Sequence, residues 1–448
     1  MYNDKQRKRG VQKMKITFIG AGSVQFTTAV VKDITTFPAL DHAEICLMDI
    51  NEHHLKEIFK CVQYIKKQMN SNITVTATTS REKALTDADA VIVTVFCGDI
   101  DVWRHEIEIP MKYGVNINVG DTRSVSGIFR TLRNIPLMLE ICNDMQRICP
   151  NAFMLNYTNP MAMLCKAMQT YTTADVTGLC HSVQATSKML ASWAGVENDE
   201  ISYTCIGLNH MAFFTQLTAN GTDLYPILHQ KIAQPEFYNK EKVRNEIFKT
   251  FGYYVTESSG HNSEYTAWFR KRPDLIRKFC DPEGANWNPG EYAYSLKLRQ
   301  DPNRFDQLVQ DFMSKPFVKQ RGHEYAANII NARIGDHTPF DFNANIINQG
   351  CIENLPYDAC VEIPVTATKD GYARKFKGSL PSHIAPLVAY TAQIENLTVE
   401  AWEKKSKQLV YAAVSLDPLC SAVLSLEEIR QMCDELFEIN RDYLGDYQ

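Results

Sequence analysis

The chain has 448 residues, 45% hydrophobic and 22% charged, which suits two or three soluble domains and excludes wholesale disorder. Its 47 basic and 52 acidic residues leave a formal charge of −5, so nothing in the balance attracts nucleic acid or an anionic membrane. No apolar run approaches the roughly 18–20 residues of a membrane helix. The 13 cysteines lack compact pairing spacings, which favours reduced thiols and the cytoplasm. Residues 1–13 form a basic leader, expected to be disordered, with no apolar stretch of the signal-peptide kind.

From residue 14 onward, strands and helices alternate. Residues 16–19 read as a short strand ending in Gly20-Ala21-Gly22-Ser23, with a helical stretch behind it. Residues 44–48 read as a second strand closed by Asp49, and residues 53–69 carry apolar groups at helical spacing (Leu55, Ile58, Val62, Ile65, Met69). Strands are expected at 73–78, 90–96, 152–155 and 177–179, and helices at 130–148 and 161–171. This order predicts βαβ units and a mostly parallel sheet. The second half is less periodic. Strands are expected at 201–208 and 213–217 around Asn209-His210, a loop at 281–291, and helices at 292–312 and 399–416. A boundary near 193–200 divides an α/β, Rossmann-type doubly wound sheet (14–195) from an α+β domain (196–448) for substrate, metal and oligomerisation.

A strand, then Gly20-Ala21-Gly22-Ser23, then a helix is the dinucleotide-binding arrangement. Glycines admit the backbone to a pyrophosphate and the helix start supplies donors. Gln25 stands where a third glycine would be. Asp49 closes the next strand, suitably placed for the adenosine ribose hydroxyls, which favours NAD over NADP. A tight turn without ligand is the bland alternative. Strand ends at Cys180-His181 and at Asn209-His210 could share one sheet edge. There Cys180 and His210 could hold a divalent ion and leave positions for substrate oxygens. A core thiol and a structural histidine would explain the same residues.

Five ordered segments carry a resemblance: K-I-T-F-I-G-A-G-S, L-N-Y-T-N-P-M-A-M, G-L-C-H-S-V-Q, G-L-N-H-M-A-F and V-T-E-S-S-G-H-N-S-E-Y-T-A-W-F. Together they resemble glycoside hydrolase family 4, most closely its α-galactosidase (melibiase) branch. The resemblance runs from about Lys15 to the C-terminus. It implies a tightly held NAD, a Mn²⁺-like ion on Cys180 and His210, and Asn159, with Asn156 in the same turn, as sugar ligands. It also implies Tyr265 as the base and His181 as a proton donor or sugar ligand. The implied reaction is transient oxidation at sugar carbon 3, proton loss at carbon 2, elimination, water addition and return of hydride. Glu257, His261 and Glu264 are lesser candidates. A small α-glycoside is the implied partner, in a homodimer or homotetramer.

One segment departs from the family pattern. Where most members carry G-P-G-G-x-x-R, this chain has Arg123-Ser124-Val125-Ser126-Gly127-Ile128-Phe129-Arg130. Arg104 and Arg123 are read as loop residues on the catalytic edge, where they could bind an anionic group on the sugar or simply pair with local acids. An α-galacturonide is therefore the second substrate reading. A 2-hydroxyacid dehydrogenase is a third class, but it would need a His–Asp pair and would leave Cys180 and His210 without a role. A silent NAD-sensing regulator is a fourth.

Overall fold

The computed structural model describes residues 14–280, 288, 296, 299–322 and 324–448. The 1–13 leader, most of the expected 281–291 loop and the first part of the expected 292–312 helix lie outside these residues.

Twelve strands among the described residues form one sheet. Six are parallel: β1 (Lys15–Ile19), β2 (Glu44–Met48), β3 (Thr74–Thr78), β4 (Ala90–Val93), β5 (Phe153–Asn156) and β6 (Asp175–Gly178), in the order 3-2-1-4-5-6. This is the doubly wound, Rossmann-type order. Side chains alternate across the strands, and both faces are apolar. Ile16, Phe18, Ile45 and Leu47 pack with the helices Val24–Ile34 and Glu52–Met69 on one face. Ile19, Cys46, Met48, Val91 and Val93 pack with Ser124–Ile148 and Met161–Tyr171 on the other.

The second half extends the same sheet with antiparallel strands: β7 (Ile201–Leu208), β8 (Met211–Ala219), β9 (Thr222–Asp223), β10 (Phe340–Ile347), β11 (Cys360–Thr368) and β12 (Gly371–Arg374). β10 joins β6 through the single register pair Asn345–Gly178, and β11 joins β7 through Glu362–Gly207. Val93, Asn156, Gly178, Asn345, Glu362 and Gly207 therefore form one row across the sheet.

Several elements differ from the sequence expectations. The 90–96 strand stops at Val93, because beyond it the Val95 amide bonds the Thr158 hydroxyl instead of a strand partner. The 130–148 helix starts at Ser124. The expected 399–416 helix is two, Ala385–Glu403 and Lys407–Leu416. Lys405 between them is left-handed (φ 48°), and the Ser406 hydroxyl caps the second helix. β10 and β11 carry buried polar residues, Asn343, Asn345 and Glu362, that interrupt a clean alternation in sequence. Near the nucleotide edge, Arg133 and Glu106 form a wholly buried ion pair that Asn440 and the Cys97 carbonyl complete. It ties the helices Ile100–Lys112 and Ser124–Ile148 to the C-terminal turn.

Candidate active site

The β1 turn has the geometry that a dinucleotide requires. Gly20 is left-handed (φ 81°), and a Cβ there would lie 2.1 Å from the Thr94 carbonyl oxygen. A Cβ on Gly22 would lie 2.7 Å from an Asp49 carboxylate oxygen. Asp49 accepts from the Gly22 amide at 2.7 Å and from the Asn51 amide at 2.9 Å, which locks the turn to the end of β2. Ser23 is the residue before the helix Val24–Ile34 and makes no side-chain cap, so the first amides of the helix are not taken up by that hydroxyl. The backbone donors, the close approach and the acid fit a pyrophosphate and a ribose.

At the same edge of the sheet, Cys180 follows β6 and His210 sits in the two-residue turn between β7 and β8. Sequence spacing left their meeting open, and the fold brings them together. With Glu257 they place one Sγ, one imidazole nitrogen and one carboxylate oxygen within 4.8 Å of one another. His210 Nε2 is 3.3 Å from Glu257 Oε2. Burial pushes the His210 imidazole down to about 4, leaving it neutral as a metal ligand must be. Burial, then Glu257 and Glu362, push the Cys180 thiol up, so a bound cation would have to displace its proton. A thiolate, an imidazole and a carboxylate with open positions fit a divalent ion that also takes oxygen ligands. Glu257 was the part of this set that sequence did not single out as a ligand. It lies 47 residues beyond His210 in a loop, with no spacing signature.

Tyr265 is buried against this corner, its hydroxyl 3.2 Å from His210 Nδ1. Thr122 Oγ1 reaches the same nitrogen at 3.3 Å. Burial raises the Tyr265 hydroxyl well above its ordinary value. Asp121 adds to this, and the Arg123 guanidinium, 4.8 Å over the ring, opposes it. His261 links the two sides of the pocket, 3.3 Å from Glu257 Oε1 and 3.5 Å from Asp121 Oδ1. Burial works against the Asp121 carboxylate, but the hydrogen bond and charge of His261 and the Arg130 charge outweigh it and hold its pKa low. Asn159 donates to Asp121 Oδ2 at 3.5 Å. Arg130 lies between the Phe96 and Trp103 rings, at 4.8 and 5.0 Å, and its Nη1 has no partner among the described residues. Neither Asp121 nor Arg130 stood out in sequence: Arg130 ends the segment where the family pattern fails, and Asp121 lies two residues before it.

Four expectations change. Asn156 closes its own turn, its Nδ2 donating to the Thr158 carbonyl at 3.1 Å and its Oδ1 accepting from the Thr158 amide at 2.9 Å, which engages both polar atoms of the side chain. Arg104 is not a loop residue. It lies in Ile100–Lys112 and pairs with Asp101 and Glu108. Arg123 precedes the helix Ser124–Ile148 and is buried. It pairs with Glu395, an acid distant in sequence, at 2.9 Å, and donates to the Asn209 carbonyl at 2.6 Å. Glu264 is structural, accepting the Asn118, Val119 and Gly120 amides at 2.7, 2.8 and 3.1 Å. His181 stands at the pocket rim, 66% exposed, with Nδ1 3.9 Å from Glu324 Oε1. Beside it lies a cavity of about 200 Å³ lined by Ser182, Thr186, Arg244, Glu257 and Ser258.

Comparisons with known proteins agree with this geometry. Residues 15–196 match the family 4 glycosyl hydrolases, and residues 205–420 match the C-terminal domain of that family. An alpha-galactosidase of Bacillus subtilis (strain 168) is 37% identical over 97% of this chain and 100% of its own length. An alpha-galactosidase of Rhizobium meliloti (strain 1021) is 35% identical over 97% of this chain and 89% of its own. A solved 6-phospho-alpha-glucosidase from gut microorganisms, in complex with NAD and Mn²⁺, has a similar fold, with a TM-score of 0.80 and 19% identity over 97% of this chain and all of that one.

Proposed function

Because the chain belongs to glycosyl hydrolase family 4, we propose that it is an α-galactosidase dependent on NAD and a Mn²⁺-type ion. The observation that carries this is the meeting of Cys180, His210 and Glu257 beside the Tyr265 hydroxyl, on the sheet edge that also holds the Gly20–Asp49 turn. When bound, NAD would accept and return hydride at sugar carbon 3, and the ion would polarise the oxygens on carbons 2 and 3. In this reading Gly20, Gly22, Ser23 and Asp49 hold the dinucleotide, while Cys180, His210 and Glu257 hold the ion.

Tyr265 then takes the proton from carbon 2. It sits next to the imidazole of a metal ligand, and Arg123 over its ring favours the tyrosinate. Asn159, steadied by Asp121, binds a sugar hydroxyl, and Arg130 offers an unpaired donor on the same wall. His181 at the rim delivers a proton to the departing oxygen. The cavity beside it takes the aglycone. Arg104 and Arg123 have their charge matched by Asp101, Glu108 and Glu395, which supports a neutral sugar over a galacturonide.

We also take the division near residue 196 as a domain boundary, the protein as cytoplasmic, and the working form as a homodimer or homotetramer. Among the described residues no helix is long and apolar enough to cross a membrane. The deciding assay is hydrolysis of p-nitrophenyl α-galactoside and α-galacturonide side by side, with NAD⁺, Mn²⁺ and thiol each omitted in turn. Cleavage of the galactoside that needs both NAD⁺ and Mn²⁺ is the expected result. Cleavage of the galacturonide alone would overturn the sugar assignment, and cleavage independent of NAD⁺ would overturn the chemistry.

A further inference from the structure

The cavity beside His181 holds a fixed pair of hydrogen-bond donors that none of the roles above uses. Thr186 lies one helical turn after Ser182 in Ser182–Ala194, so both hydroxyls reach the cavity from one face of the helix. Arg244, in the helix Lys242–Phe251, reaches the same cavity, and both it and Thr186 are buried. Arg244 Nη1 donates to Thr186 Oγ1 at 3.0 Å. Glu241 holds the guanidinium from behind, accepting from Nε at 2.9 Å and standing 2.7 Å from Nη2. One Glu241 oxygen also accepts the Ser259 amide at 2.9 Å and the Ser259 hydroxyl at 2.7 Å, which ties the pair to the loop that carries Glu257.

Two hydrogens of this pair remain open. Of the hydroxyls that line the cavity, Ser182 Oγ is engaged with Cys180 Sγ at 3.3 Å and Ser258 Oγ with His261 Nδ1 at 2.9 Å. Thr186 Oγ1 accepts from Arg244, and its own proton has no acceptor among the described residues. Arg244 Nη1 carries a second hydrogen beyond the one that Thr186 takes. Two adjacent donors, held in place before any ligand arrives, suit two adjacent hydroxyl oxygens such as a sugar ring presents. The rest of the lining narrows the choice. A phosphate or carboxylate would meet the Glu257 carboxylate and a guanidinium whose charge Glu241 already matches. Among the described residues of the lining there is no Phe, Tyr or Trp on which a bare ring could stack. The volume of about 200 Å³ is below the roughly 300–1,000 Å³ of drug-sized sites and leaves room for one small ring.

We propose that Thr186 and Arg244 determine leaving-group specificity: they donate to adjacent hydroxyls of a polyhydroxylated aglycone, a second sugar unit, and so select it over an apolar or an anionic group of similar size. The proposal rests on the α-galactosidase reading and on the aglycone lying beside His181.

The test uses two α-galactosides whose aglycones share a six-membered ring and a link through a primary carbon. In melibiose that ring carries hydroxyls, and in cyclohexylmethyl α-galactoside it carries none. Wild type with NAD⁺ and Mn²⁺ is expected to favour melibiose about tenfold or more in kcat/KM, the effect of two hydrogen bonds. Thr186→Val, close in shape but without the hydroxyl, is expected to cut that preference about fivefold, and Thr186→Ser to bring it back to within about twofold of wild type. Equal cleavage of the two substrates by wild type, an undiminished preference in Thr186→Val, or a preference lost equally in Thr186→Ser would each overturn the proposal. If Thr186→Val does not fold, the wild-type comparison still decides. Wild type that cleaves neither substrate, nor p-nitrophenyl α-galactoside, would refute the galactosidase reading and this role with it. Cleavage of p-nitrophenyl α-galactoside without a preference for melibiose over the cyclohexylmethyl compound would refute this role alone.

Discussion

Burial raises both the Tyr265 hydroxyl and the Cys180 thiol, so each keeps its proton until a cation arrives. This makes the two residues separable by experiment. Cys180→Ser should weaken Mn²⁺ binding at least tenfold, about the scale on which even outer partners act, as read by titration calorimetry. Tyr265→Phe should keep both Mn²⁺ and NAD while kcat falls about 100-fold or more, the usual contribution of a positioned base. An unimpaired rate would remove Tyr265 from that role. His261 gives a pH signature. Burial would lower it, but Glu257 and Asp121 outweigh burial and raise it from 6.5 to about 9. The folded value exceeds the unfolded one, so its contribution to stability is complete below about pH 6.5 and is lost as pH climbs through about 9. It amounts to at most about 3 kcal/mol. Denaturant titrations of metal-free wild type and His261→Gln should therefore converge at high pH; parallel curves would refute the assignment.

Local backbone strain separates what sequence could show from what it could not. The parallel strands and the helix Met161–Tyr171 were legible, because an apolar run or a 3.6-residue period leaves one reading. Tyr265 was legible only as a member of a family pattern, and Cys180 and His210 were legible from their strand ends only as one of two open readings. Their meeting depends on strand register and on a hairpin turn that periodicity does not encode. The helix start was missed because Ser124 occupies a left-handed position (φ 62°), the kind of place glycine usually takes, and so broke the pattern by which the segment could be recognised. Its hydroxyl makes only a long bond, 3.4 Å, to Asp417. Ser124→Gly should therefore stabilise the protein by about 1 kcal/mol, seen as a rise in the denaturation midpoint. A loss of stability would mean that the Asp417 contact outweighs the backbone term. Glu257 escaped notice for a related reason. It too is left-handed (φ 69°), in a loop whose course follows contacts distant in sequence.

Across the whole molecule, the Arg133–Glu106 pair joins segments far apart in the chain. Both side chains are wholly buried, and three separate chain segments converge on them. Arg133→Met should cost about 3–5 kcal/mol, because it leaves a buried charge without a partner. Arg133→Met combined with Glu106→Leu should recover much of that loss in thermal unfolding, since an apolar pair of similar volume needs no compensation. A double variant as unstable as the single one would show that the hydrogen bonds to Asn440 and Cys97, not the charge pair, hold the three segments together.

The left-handed backbone at Ser124, His210 and Glu257 also limits how this corner can evolve. A mutation there must satisfy a turn that few residues tolerate as well as a chemical role. Neutral drift at Ser124 is channelled toward glycine, asparagine or aspartate. At His210 no other residue carries an imidazole, and at Glu257 only aspartate joins that backbone freedom to a carboxylate, on a side chain one methylene shorter. New substrate preferences are therefore expected to arise by exchange around the cavity beside His181, where Ser182, Thr186 and Ser258 carry no such double constraint.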